Sequence, residues 1–270
     1  MPAPRLRLPV WPAIRAAMAM ALVGWLVLAS PSGGLAAAGT LETADRLLMA
    51  PDLNKQKVLQ AFSTYESLLP VGGAERLPIL IRLARTAFLI GEFGEKGQRR
   101  LYYEQGREYA EAIMQEYPDS VAGPYWLGMH LAGLADVNRL RGVRLLPQII
   151  TALERALAMD QTYDQAGAYR VLGRIYYEAP RPPISVGNIK KSFEYLSRAA
   201  QIAPANSTNH LYLAETMIKL GQKEEAGQEL NRVLTVNQNA DGPYGLMADQ
   251  RQARELLKKH GFKGEAQSVD

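Results

Sequence analysis

The chain has 270 residues, 47% of them hydrophobic and 21% charged, with a formal net charge of +4 and no Cys. That balance belongs to a globular protein and excludes disordered, collagenous and long coiled-coil chains. The absence of Cys removes disulfides, thiolate metal sites, iron–sulfur ligation and a Cys nucleophile, and three His leave little for an imidazole metal site.

Residues 1–15 carry Arg5, Arg7 and Arg15 and no acid. Ala16 to Ala29 is then an apolar run interrupted only by Gly24, Ser30-Pro31-Ser32-Gly33-Gly34 breaks it, and Ala36-Ala37-Ala38 follows. A basic start, a short apolar stretch and a small-residue cleavage site predict a secretory signal peptide over residues 1–38. The run is short beside the ~20 apolar residues of a membrane-spanning helix. Left uncut, it would serve as an inner-membrane anchor. Cleavage removes three Arg and no acid, so the remaining basic and acidic side chains nearly balance. The charge therefore predicts no nucleic-acid partner. The expected destination is the periplasm, and without Cys there is no site for a lipid anchor.

From residue 39 to 270 the chain reads as one all-α domain of about ten or eleven helices. Ala, Leu, Glu, Gln, Arg and Lys dominate, and no alternating strand pattern appears. Two weak helix pairs are predicted around 41–70 and 77–118. A clearer pair opens at Tyr125-Trp126-Leu127-Gly128 and closes at Leu153 and Ala156. The next opens at Gly167 and runs through Leu172, Gly173 and Tyr176. The clearest begins at Ser207, with Leu213, Ala214, Gly221, Ala226, Leu230 and Val233 at repeat positions 7, 8, 15, 20, 24 and 27. Small residues at 8 and 20 let paired helices approach, and large ones near 24 fill between them. This is the spacing of a tetratricopeptide repeat (TPR), and predicts a right-handed α-solenoid. A helix at Asp249–His260 caps the array.

The repeat is uneven. Position 32 falls at Pro118, Gln161, Pro204 and Gln238, so two central repeats carry extra residues. These insertions, near Ala135–Leu146 and at Glu178–Val186, are expected to be inter-helix loops. The second is Pro-rich and reads as a stiff loop rather than a polyproline recognition motif.

In stacked helix pairs the first helix lines the concave surface through positions 2, 5, 9 and 12. Here those positions are Ile81, Arg85 and Phe88; Tyr125 and Met129; Arg170, Arg174 and Tyr177; and Leu211, Glu215 and Ile218. The predicted groove mixes aromatic and aliphatic surface with a few charges, which suits an amphiphilic ligand or a partner's helix. Arg170 and Arg174 lie one turn apart on one face. Either they clamp a carboxylate, or they pair with Glu215 or Glu178 as groove-wall ion pairs. Trp126 reads as inter-repeat core, as do Tyr169, Tyr176 and Tyr212. His210 reads as a cap or core residue, and Asn206-Ser207-Thr208 as a helix cap. No G-x-S-x-G, H-E-x-x-H, Walker or dinucleotide motif occurs, and no acid pair converges in sequence, so the reading is a non-enzymatic protein that needs no cofactor.

Several segments together carry a resemblance: Gly106-Arg107-Glu108-Tyr109-Ala110, Tyr125-Trp126-Leu127-Gly128, Leu153-Glu154-Arg155-Ala156-Leu157, Arg170 to Tyr176, Ala179-Pro180 with Ser185-Val186-Gly187, Lys190-Lys191, and Asn209 to Glu215. Over about residues 41–260 the chain resembles the T-component family (TatT) of tripartite ATP-independent periplasmic (TRAP) transporters. The Pro-rich insertion and the two long central repeats are the specific part of the likeness. The resemblance implies a periplasmic helical-repeat protein associated with the solute-binding receptor of such a system, assembled as a homotrimer, with a cleft for a hydrophobic small molecule. This chain departs from the lipid-anchored members in lacking Cys. A generic periplasmic TPR scaffold for envelope or secretion assembly is the alternative reading.

Overall fold

The computed structural model describes residues 40–69, 75–239 and 242–262. The predicted signal peptide lies outside the described residues.

Eleven helices follow one another: α1 Leu41–Leu48, α2 Lys55–Leu68, α3 Arg76–Phe93, α4 Lys96–Glu116, α5 Ala122–Val137, α6 Arg139–Met159, α7 Tyr163–Glu178, α8 Ile189–Ile202, α9 Ser207–Leu220, α10 Lys223–Thr235 and α11 Gly242–His260. Among the described residues, extended pairing is limited to one isolated bridge between Asn206 and Gln238. The all-α expectation is met, and the pairs predicted at 41–70 and 77–118 are α1–α2 and α3–α4.

Local chemistry sets many of the boundaries. Thr40, Asn54, Asn188 and Asn206 sit in extended backbone at helix N-caps and accept hydrogen bonds from first-turn amides. Gly221 ends α9 in the left-handed conformation, with φ of 81°, which L side chains adopt at a cost. His210 is buried. Its Nε2 donates to the Pro204 carbonyl at 2.8 Å and its Nδ1 meets Glu229 on α10, so it locks the last hairpin as a core residue.

Consecutive helices pack as hairpins, and α3, α5, α7, α9 and α11 also touch in succession. The odd-numbered helices therefore form one layer and their even-numbered partners the other. Close approach depends on the small residues of the repeat. A Cβ on Gly128 would stand 2.7 Å from Leu153 of α6, and one on Gly173 would stand 2.5 Å from Leu196 of α8. Three apolar clusters run along the array. The central one holds Tyr125, Leu153, Leu172 and Ile175; the N-terminal one Val58, Tyr65 and Ile90; the C-terminal one Leu213, Leu230 and Leu257.

Two expectations change. Ala135–Leu146 is not a loop: α5 runs to Val137, Asn138 breaks it, and α6 starts at Arg139. The extra residues lengthen both arms of the hairpin, because Ala135 and Leu146 bury apolar surface in the central cluster. The C-terminal helix starts at Gly242, well before Asp249. This early part of α11 reaches back to the beginning of the array. Tyr244 lies 5.8 Å from Phe93 ring to ring and packs on the N-terminal cluster, and Gly242 faces Met49. The Pro-rich segment 179–188 is a loop as expected, closed by hydrogen bonds from Gly187 to Pro180 and from Asn188 to Tyr176.

Candidate ligand cleft

The inner layer lines a cleft that is open to solvent. Its walls come from α3, α5, α7 and α9. Phe88, Tyr125, Trp126 and Met129 form an apolar side, and Arg85, Glu92, Asp164 and Arg170 supply charge. The aromatic side is built of rings packed on one another. The Tyr125 and Trp126 rings meet edge-on at 5.2 Å, Trp126 lies 6.4 Å from Phe88, and His130 fills the space beneath them. His130 is fully buried, and burial pushes its pKa down to about 3, so the imidazole is neutral. Its Nε2 donates to the Ala84 carbonyl at 3.0 Å. Gly106 makes room for this ring: a Cβ there would stand 2.0 Å from it.

The charged end is built on an unusual backbone. Asp164, Gln165 and Ala166 have φ of 50°, 55° and 63°, a left-handed turn at the start of α7 without a single glycine. Left-handed backbone costs an L-residue roughly 1–2 kcal/mol, so the turn requires tertiary restraint. That restraint is visible. Arg170 donates to the Asp164 carboxylate at 2.8 Å and to the Gln165 carbonyl at 3.1 Å. Tyr125 donates its hydroxyl proton to the same Asp164 oxygen, and Asn209 of α9 donates to the Gln165 carbonyl at 3.2 Å. Burial, then the Asp164 carboxylate, hold the Tyr125 hydroxyl well above its ordinary pKa.

Five of the ten predicted groove residues meet in this cleft: Arg85, Phe88, Tyr125, Met129 and Arg170. Arg174, Tyr177 and Glu215 form a separate cluster one turn along. Arg174 lies between the Tyr177 and Tyr212 rings, 4.6 Å from each centre, bonds Glu178 at 2.8 Å and also pairs with Glu215. Burial pulls its pKa down, but the Glu215 and Glu178 carboxylates outweigh that, and it stays charged. The two arginines therefore do not clamp one carboxylate. Each has its own acid: Asp164 for Arg170, and Glu178 with Glu215 for Arg174.

Leu211 is not on the cleft wall. It is buried in the C-terminal cluster, against which Ile218 also packs. On α9 the cleft is lined by Thr208, at repeat position 2, and by Tyr212, one residue past Leu211 at position 5. One residue rotates a helix by about 100°, enough to exchange cleft for core. Trp126 and Tyr212 are buried, as a packing role requires, and both also face the cleft. Asp164 went unread because a turn residue shows no apolar period, and Thr208 because the sequence reads it with the Asn206 cap.

The comparisons agree with this architecture. Residues 83–261 match the TRAP transporter T-component family. A thermophilic TPR protein of Thermus thermophilus has a similar structure, with a TM-score of 0.59 and 20% identity, covering 81% of this chain and 100% of its own; at that identity the likeness concerns the fold. No curated protein matches the chain. With the family match spanning most of the chain and a TPR-like helical array to accompany it, this protein belongs to the T-component family of TRAP transporters.

Proposed function

We propose that this protein is exported to the periplasm, binds the solute-binding receptor of a TRAP uptake system, and holds a hydrophobic or amphiphilic carboxylate in the cleft between α3, α5, α7 and α9. It binds rather than transforms. One observation carries the ligand part: an apolar wall of Phe88, Trp126 and Met129 faces charged groups that include Arg170 within the same cleft. Apolar walls with a few fixed polar groups characterise small-molecule sites. Family membership supports the receptor part and the homotrimer.

Purified full chain, titrated by calorimetry with the cognate receptor, tests the partnership. Saturable binding supports it. No binding, together with capture from the cell envelope of secretion or cell-wall factors in place of the receptor, would establish the scaffold reading. Light scattering reads the trimer directly.

A further inference from the structure

The anion position of the cleft is already occupied by the protein itself. Arg170 and the Tyr125 hydroxyl converge on one oxygen of Asp164. Gly167 leaves room for this: a Cβ there would stand 2.5 Å from the Tyr125 hydroxyl and 2.8 Å from the Asp164 carboxylate. With Asp164 in that position, Asp164, Gln165 and Ala166 all have left-handed backbone. Within the pair, Asp164 is the outer partner, its side chain 24% exposed against 9% for Arg170. Arg170 also has an anchor outside the turn, the Asn209 side-chain oxygen of α9 at 3.2 Å. Its fork would remain aimed if the Asp164 carboxylate left.

We propose that Asp164 is a built-in stand-in for the ligand's carboxylate, and that an anionic amphiphile enters by displacing Asp164 from Arg170 and releasing the left-handed turn. This rests on the ligand-binding reading of the cleft given above. A carboxylate with an apolar tail replaces the internal anion at Arg170 and Tyr125, and its tail covers the Phe88, Trp126 and Met129 side. The strain of the turn, relieved when Asp164 swings out, offsets part of the ion pair that is lost. An uncharged molecule of the same shape leaves Asp164 in place. Of the other charged groups of the wall, Glu92 accepts the Tyr103 hydroxyl, and Arg85 on α3 lies near enough to act on Tyr163, the residue before Asp164.

The test compares octanoate with 1-octanol by calorimetry on the full chain and on Asp164→Asn. Asparagine keeps the size of Asp164 and tolerates left-handed backbone while removing the competing charge. Octanoate should bind Asp164→Asn roughly tenfold tighter than wild type, and octanol should bind both alike. In wild type, octanoate but not octanol should speed hydrogen exchange at the Ala166 amide, which bonds the Thr162 carbonyl at 3.2 Å. If octanol binds but Asp164→Asn gains nothing for octanoate, or gains equally for both, the stand-in role falls and the cleft reading survives. If neither probe binds either protein, the cleft reading falls and takes this proposal with it. Should Asp164→Asn fail to fold, the wild-type exchange experiment decides: unchanged protection with octanoate overturns the proposal.

Discussion

The guanidinium carbon of Arg174 lies 4.6 Å from the ring centre of Tyr212, across the seam between α7 and α9. Glu178 and Glu215 bind its edges while Tyr177 covers its other face. Arg174→Ala would leave two largely buried carboxylates without their cation. The expected loss is about 3–5 kcal/mol, read as a shift in the urea midpoint. Arg174→Lys should recover little, since an ammonium cannot stack between two rings and fork to two acids. A double Ala variant at Arg170 and Arg174 should therefore unfold the array rather than only weaken a ligand.

Acid should act through His130. Burial lowers its folded pKa to about 3, against 6.5 for the exposed side chain. The unfolded chain then binds the extra proton first. Stability from this group is complete above pH 6.5 and falls as the pH drops from there toward 3. At pH 5 the loss is about 2 kcal/mol. Denaturant melts at pH 7 and pH 5 should show it in wild type and show less in His130→Leu. An equal acid loss in both would assign it to other groups.

The glycines of α4 should separate cleanly. Gly106→Ala drives a methyl into the His130 ring, which Phe88, Tyr103 and Trp126 hem in, so a loss of about 2–3 kcal/mol is expected. Gly97→Ala meets nothing within 4 Å and should stabilise by about 0.5–1 kcal/mol. Thermal melts of the two variants check both signs.

Asp249 pins the last helix. One of its oxygens accepts from Ser207 and Thr208 at 2.7 Å each and from Asn239 at 2.7 Å. Asp249→Ala strips the acceptor from three buried donors and should cost about 2–4 kcal/mol. Faster hydrogen exchange should appear first in α11 and the start of α9. Loss of protection spread evenly over α3 to α6 would contradict that order.

The repeat was legible because it is written in small residues. Gly128, Gly173 and Ala214 mark where two backbones approach, and the Leu153 and Leu196 contacts on the two glycines follow. The groove was legible only as a face. Arg85, Phe88, Tyr125, Met129 and Arg170 were placed from register alone, whereas on α9 a one-residue rotation put Leu211 into the core. The left-handed turn was not legible. Its residues carry no glycine signal, and it is held by Arg170 within α7 together with Tyr125 and Asn209 from distant helices. The lengthened α5–α6 arms were missed for the opposite reason. Ala135–Leu146 looked like surplus against a standard repeat, although its own apolar spacing suits a helix.

The meeting of Tyr244 with Phe93 has a last consequence. An open stack of repeats can gain or lose a unit, and it unravels from either tip. Here the final helix touches the third through this ring pair, so the two ends of the array meet. Deleting or duplicating a hairpin would break that contact, and weakening the C-terminal tip should be felt at the N-terminal one.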